Sequence, residues 1–153
     1  MPEMFMKKVV FTWLAAGLFI GCVSVAEAEW LTDLPTAETQ AKAENKIVLL
    51  DFSGSDWCPD CIALKKKVFD TEAFQAYAAT NVVLVDVDFP DKKPQSSDLK
   101  KANAKLKDKY SVEGLPTLVV LDQNGNELAR LSGSDVNSAN ALINKLETFK
   151  ERK

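Results

Sequence analysis

The feature that most constrains the fold is a pair of nearly continuous apolar runs separated by a stretch with helical periodicity. The first run, residues 47–52, has the sequence Ile-Val-Leu-Leu-Asp-Phe, and the second, residues 82–88, has the sequence Val-Val-Leu-Val-Asp-Val-Asp. Apolar runs without polar alternation are typical of strands that are buried on both faces of a sheet. A helix that crosses over between two such strands makes them parallel, so we predict an α/β fold.

The rest of the chain supplies helices for both faces of this sheet and a hairpin for its edge. Helical periodicity and capping residues predict a helix over about residues 35–44 capped by Asp33, one over residues 59–69, one from Asp70 or Thr71, one over residues 97–110, and a last one capped by Asp135 or Asn137. The turn sequence Asn124-Gly125 between residues 117–121 and 127–131 predicts the hairpin. The predicted order is α-β-α-α-β-α-β-β-α, a three-layer α/β/α sandwich with a mixed sheet.

The length of the chain indicates one domain, and its composition excludes several kinds of binding and catalytic site. The 153 residues are 46% hydrophobic and 27% charged, an ordinary globular balance. With 19 basic and 22 acidic residues, the net charge of −3 offers no basic surface for nucleic acid. The chain has no histidine, which excludes Ser-His-Asp and Cys-His catalysis and His-ligated zinc or copper.

The N-terminus has the pattern of a secretory signal peptide. Lys7-Lys8 precedes an apolar run over residues 9–25, and Ala26-Glu27-Ala28 supplies the small residues of a cleavage site. We therefore predict a signal peptide over residues 1–28 and an exported, periplasmic domain over residues 29–153.

Two alternatives to cleavage remain open. The apolar run reaches the lower length limit of a membrane-spanning helix, so the N-terminus could serve as an uncleaved anchor. Phe19-Ile20-Gly21-Cys22 resembles the lipobox of bacterial lipoproteins, so Cys22 could instead carry a lipid. In each case the chain from Trp30 onward is exported.

Cys58 and Cys61 carry the predicted chemistry. They stand at i and i+3, where the loop after the first buried strand becomes a helix. Unpaired N–H groups and the helix dipole stabilise a thiolate at such a position, which makes Cys58 the predicted nucleophile towards a disulfide. Cys61, one turn further and buried, is predicted to resolve the mixed disulfide that forms.

Metal binding is the principal alternative use of this pair. A zinc site would need a second Cys pair or histidines, which the chain lacks, and haem attachment would need a histidine where Ile62 stands. No structural metal or organic cofactor is therefore predicted. Two thiolates suit Cu(I), however, so a non-enzymatic Cu(I)-binding module stays open as a separate hypothesis.

Two spaced motifs make the chain resemble the thioredoxin superfamily. Trp57-Cys58-x-x-Cys61 follows a buried strand, and Gly114-Leu115-Pro116-Thr117 precedes the next one. The resemblance extends from about residue 46 to the C-terminus and includes exported thioredoxin-like proteins, among them the C-terminal domains of transmembrane disulfide reductases. It implies a thioredoxin-like fold, protein disulfides as substrates, a membrane thiol as electron donor, and a redox-active Cys58–Cys61 disulfide in place of a cofactor.

The resemblance also implies roles for residues around the pair. Pro116 would be a cis-proline that faces the disulfide, the backbone of Leu115 would pair with an extended substrate, and Trp57 would form an apolar surface beside Cys58. Taken on the residues alone, Pro116 could be an ordinary proline at a strand start, and Trp57 a core tryptophan.

Asp51 matches the buried acid of thioredoxin, which accepts the proton of the resolving cysteine. A carboxylate within an apolar strand has a raised pKa, which suits proton transfer near neutral pH. The loop between Asp51 and Trp57 is longer than in thioredoxin, and therefore Asp56 is a rival for the same role.

The residues between the two cysteines bear on the direction of electron flow. Strong oxidants of the superfamily carry a histidine there, whereas this chain has Pro59, which rigidifies the helix start, and Asp60. A negative charge near Cys58 disfavours its thiolate and favours the disulfide form. We therefore predict a monomeric protein-disulfide reductase, with an oxidase or isomerase on the same fold as the alternative.

Overall fold

The computed structural model of the chain describes residues 27–151. The apolar run of the predicted signal peptide and Cys22 lie outside the described residues. Across residues 27–151, no helix combines the length and the apolar character needed to cross a membrane.

The described residues form an alternation of strands and helices in the predicted order. The elements are β1 (Trp30–Leu31), α1 (Leu34–Glu44), β2 (Ile47–Ser53), α2 (Pro59–Leu64), a π-helical turn (Lys65–Phe69), α3 (Glu72–Asn81), β3 (Val82–Asp88), α4 (Ser97–Lys109), β4 (Thr117–Leu121), β5 (Glu127–Ser132), a 3₁₀ turn (Gly133–Asp135) and α5 (Ala139–Lys150). The additions to the prediction are β1 and the short 3₁₀ turn. Two residues are too few to show a period in the sequence, so this strand could not be recognised there.

The strands form one mixed sheet in the order β1-β3-β2-β4-β5. β1, β3 and β2 are parallel, whereas β4 and β5 are antiparallel to their neighbours, which confirms the predicted parallel core with an antiparallel edge. One face of the sheet packs on apolar side chains of α3, α5 and the π-helical turn. The other face packs on α1 and on Tyr110 and Val112 after α4. The three-layer α/β/α sandwich is thus confirmed.

The helix predicted over residues 59–69 changes its winding at Lys65. The N–H of Asp70 donates to the carbonyl of Lys65, 2.9 Å away, which inserts one extra residue into the turn. The adjacent Val68 and Phe69 of this turn both reach the core, where each is almost fully buried.

The cap predicted for the last helix was wrong. Neither Asp135 nor Asn137 caps α5; instead the hydroxyl of Ser138 accepts the N–H of Ala141 at 3.2 Å. Asp135 accepts the backbone N–H of Ser132 at 2.7 Å and closes the 3₁₀ turn. Several residues with capping side chains follow one another here, so the sequence alone does not decide which one ends the loop.

Candidate active site

Cys58 and Cys61 are joined by a disulfide at the start of α2. Their Cα atoms are 5.3 Å apart, and Cys58 is the N-cap residue of the helix. The N–H of Cys61 donates to the sulfur of Cys58 at 3.3 Å. Pro59 fills the first helical position, where a missing N–H costs nothing and the fixed φ angle suits the helix. A thiolate at Cys58 would therefore find a backbone donor already directed at it.

The second sulfur, that of Cys61, is buried against the loop that precedes the helix. The N–H of Gly54 donates to the sulfur of Cys61 at 3.5 Å, and Cys61 is only 4% exposed. A Cβ on Gly54 would lie 2.6 Å from the Trp57 ring, so only glycine lets the indole lie against this turn. The geometry thus matches a buried second cysteine, as the sequence predicts.

Trp57 lies on the surface. Its side chain is 50% exposed, and its indole N–H donates to the carbonyl of Phe89 at 2.7 Å. The alternative of a core tryptophan is therefore wrong. The hydrogen bond fixes the ring next to the helix start, with an apolar face open to solvent.

A cavity of about 300 Å³ behind the disulfide contains Asp51 and Cys61 among its lining residues. Asp51 is 8% exposed, and its Oδ1 atom has no hydrogen-bond partner among the described residues. Burial above all, then the carboxylates of Asp86 and Asp88, raise the pKa of Asp51 to about 8, against a smaller opposing effect of Lys65. Asp51 is therefore protonated in the folded protein at neutral pH, yet close to its titration range.

The same cavity is lined by charged residues to which the sequence assigned no role: Asp86, Asp88, Lys65 and Lys93. Burial, and then the charge of Asp88, raise the pKa of Asp86 to about 6, while Lys93 and Lys65 act in the opposite direction. The spacing of the two acids in the second apolar run was a usable signal, because alternate residues of a strand share one face. The sequence did not show that this face of the strand places the two acids in the same cavity as Asp51.

Asp56 is used elsewhere. Its carboxylate accepts the backbone N–H groups of Asp91, Lys92 and Lys93, each at 2.8 Å. These hydrogen bonds, that of Asp91 first, lower the pKa of Asp56. Asp56 does not line the cavity behind Cys61, whereas Asp51 does. The structure thus places Asp51, and not its rival, next to the second cysteine.

We expect Asp56→Ala to release the loop after β3 without altering the proton chemistry of the site. Because three N–H groups lose a charged acceptor, their hydrogen exchange should accelerate by at least about tenfold. NMR-detected exchange of the amides of residues 91–93 measures this, with Asp91→Ala, which leaves the Asp56 carboxylate in place, as control. If the pH dependence of disulfide reduction moved with Asp56→Ala, Asp56 would have to be reconsidered as the proton acceptor.

The peptide bond between Leu115 and Pro116 is cis, as the resemblance implied. Both residues line a groove of about 600 Å³ that also includes Asp60 of α2 and Gly133 of the 3₁₀ turn. A Cβ on Gly133 would lie 2.7 Å from the Pro116 ring, so this glycine allows the turn to pack on the proline. The structure thereby brings Leu115, Pro116 and Asp60 to one surface, and substrate binding there remains a prediction.

Known proteins are similar to this chain in sequence and in fold. The model of a family described as "Thioredoxin-like domain" matches residues 34–150. "Disulfide bond reductase DsbH" of Chlamydia pneumoniae is 32% identical over 126 residues, which are 82% of this chain and 75% of that protein. "Thiol:disulfide interchange protein DsbD" of Actinobacillus pleuropneumoniae serotype 5b (strain L20) is 34% identical over 111 residues, 71% of this chain but only 18% of the relative.

The fold comparison agrees. A solved structure named "DsbH Oxidoreductase" superposes with a TM-score of 0.77 at 26% identity and covers 99% of this chain and 96% of its own. The C-terminal domain of DsbD from Neisseria meningitidis, solved in the oxidised form, gives a TM-score of 0.57 at 20% identity over 78% of this chain and 98% of that one. The second likeness, at this identity, concerns the fold alone.

Proposed function

Because the chain belongs to the thioredoxin-like domain family and is homologous to thiol–disulfide oxidoreductases of the Dsb type, we propose that it reduces protein disulfides with the Cys58–Cys61 dithiol. The homology gives the class of reaction, which is thiol–disulfide exchange. The direction of electron flow is the part that we propose. A relative that aligns with most of the chain carries the name disulfide bond reductase, which supports this direction.

In the proposed reaction, two electrons pass from the dithiol to the substrate. The Cys58 thiolate attacks one sulfur of the substrate disulfide, and the other substrate sulfur leaves as a thiolate with the bonding electron pair. Cys61 then loses its proton to the ionised form of Asp51, which is the minority form at neutral pH and grows as the pH rises towards 8, and attacks the sulfur of Cys58. The substrate's first sulfur leaves as a thiolate, and the Cys58–Cys61 disulfide forms. The released thiolates take up protons from water, and an external dithiol restores the reduced protein.

The observation that carries the reductase direction is the position of Asp60. It lies in the first turn of α2, which Cys58 caps, and its side chain is exposed in the groove with Leu115 and Pro116. A carboxylate there opposes the negative charge of a Cys58 thiolate. Opposition to the thiolate destabilises the reduced form relative to the disulfide, and a dithiol with a less stable reduced form is a stronger reductant.

We expect Asp60→Asn to raise the reduction potential of the couple by roughly 10 to 30 mV, making the protein a weaker reductant. Equilibration against a defined dithiol buffer measures the potential, and Asp98→Asn, in the first turn of α4, is the matched control. The wild-type potential should lie near or below about −250 mV, where thioredoxin-like reductases lie. A lower potential for Asp60→Asn would show that the sign of this argument is wrong.

Other outcomes of the same measurements would favour other functions. A wild-type potential of roughly −120 to −180 mV would place the protein with oxidases and isomerases. Stoichiometric Cu(I) uptake that is lost in Cys58→Ser, together with poor insulin reduction, would favour a copper-binding module.

We further propose that the protein works as a monomer outside the cytoplasm and takes its electrons from a membrane thiol. The signal-peptide pattern over residues 1–28 supports export to the periplasm. A periplasm is kept oxidising, so a reductase there needs electrons from across the membrane. Cell fractionation and the redox state of Cys58 and Cys61 in cells test this location.

A further inference from the structure

Asp51 and Asp86 occupy directly paired positions on two parallel strands. Asp51 of β2 pairs with Asp86 of β3 in the sheet register, and Ser53 with Asp88 two residues further on. Adjacent strands of a sheet lie about 4.8 Å apart, and paired residues point to the same face. Asp51 and Asp86 both line the cavity behind Cys61. The sheet itself therefore holds two carboxyl groups side by side next to the second cysteine.

Asp86 is more exposed to solvent than Asp51. It is half-buried, whereas Asp51 is almost closed off from solvent. Together with Asp88 and Lys93, Asp86 lines a second cavity of about 270 Å³ that reaches the start of α4. Asp51 does not line this second cavity. Of the two acids, Asp86 thus lines both cavities, whereas Asp51 lines only the one behind Cys61.

The neighbours of the pair leave Asp86 available to interact with Asp51. Asp88 is occupied, because it accepts the N–H and the hydroxyl of Ser55 at 2.9 and 2.6 Å. Lys65 forms an ion pair with Asp70, and Lys93 donates to the Ser55 hydroxyl at 3.1 Å. Within residues 27–151, the Asp86 side chain has no hydrogen-bond partner.

We propose that Asp86 is a positioning residue of the dithiol reaction: its carboxylate, paired with Asp51 across the sheet, makes Asp51 a stronger base and so sets the pH at which Cys61 is activated. This inference rests on the proposed function, since it concerns the step in which Cys61 loses its proton. The charged groups that face the pair are Lys65 of the π-helical turn, Asp88 of β3 and Lys93 of the loop after β3, and Cys61 of α2 faces it as a group that titrates once the disulfide is reduced. Repulsion between two carboxylates at this spacing favours retention of a proton by the more buried one.

The experiment is a carboxyl titration of the oxidised chain by NMR with ¹³C-labelled aspartate. In Asp86→Asn the pKa of Asp51 should fall by about one unit or more, because a neighbouring negative charge is removed. The ascending limb of the pH profile for single-turnover disulfide reduction should move to lower pH by the same amount. Asp86→Glu should restore both values towards the wild type, and Asp108→Asn, an exposed acid on α4, should leave both unchanged.

A merely structural role for Asp86 would change the melting temperature and leave the titration of Asp51 where it is. An unshifted pKa of Asp51 in folded Asp86→Asn therefore overturns the inference, and Asp86→Ser repeats the test if the asparagine variant does not fold. The titration needs no turnover, so it separates the two proposals. A shifted pKa in a chain that cannot reduce insulin contradicts the proposed function but upholds the coupling of the two carboxyl groups.

Discussion

Cys58→Ser should slow the reduction of insulin disulfides by roughly a thousandfold or more relative to the wild type, because the enzyme has lost its covalent nucleophile. Cys61→Ser should instead react once and stop at a stable mixed disulfide between Cys58 and the substrate. The difference follows from the geometry. Cys58 caps α2 and its sulfur already accepts a backbone N–H, whereas Cys61 lines the cavity that also contains Asp51.

Mass spectrometry of the chain from residue 29 measures both outcomes, because Cys58 and Cys61 are then its only cysteines and every adduct is assigned. The double variant with serine at both positions is the control and should form no adduct. Trapping by Cys58→Ser, with none by Cys61→Ser, would reverse the two roles. It would also detach Asp51 from the resolving step.

The sequence was sufficient for the architecture because the fold depends on long, unambiguous signals. The two apolar runs became β2 and β3, and the crossover between them makes the pair parallel. The failures occurred where local signals are short or redundant. β1 has two residues, and Ser138 competes with neighbouring capping residues. The π-helical turn differs from the predicted regular helix by one inserted residue, and no periodic signal in the sequence marks where such an insertion occurs.

The site was predictable only where its residues are contiguous. The cysteine pair and the proline that proved to be cis belong to short motifs, so their positions follow from the chain itself. The positions of Asp51 and Asp56 depended on where a loop folds: the structure gives Asp56 three backbone donors and places Asp51 in the cavity with Cys61, and the role of Asp51 as proton acceptor stays a prediction. Asp86 becomes significant only through sheet register, which joins residues far apart in the sequence.

Asp51→Asn should stabilise the folded protein at neutral pH, by about 3 to 4 kcal/mol, and at the same time slow disulfide reduction. The pKa of Asp51 is raised from 3.8 to about 8, chiefly by burial. Between these two values the folded protein binds a proton that the unfolded chain has lost. Stability therefore falls as pH rises through this window, and asparagine, which does not titrate, removes the fall.

The sign of this effect separates Asp51 from an ordinary paired carboxylate, whose lowered pKa would make the protein more stable as pH rises. Urea unfolding of the oxidised chain at several pH values should give nearly equal stabilities for wild type and Asp51→Asn near pH 4, and curves that diverge up to about pH 8. Asp86 titrates in part of the same range but is present in both proteins, so its contribution largely cancels in the difference. Asp108→Asn should follow the wild type throughout. Parallel curves of stability against pH for wild type and Asp51→Asn would mean that Asp51 is already ionised in the folded protein. A carboxylate ionised in that way would be too weak a base to take the proton of Cys61 efficiently.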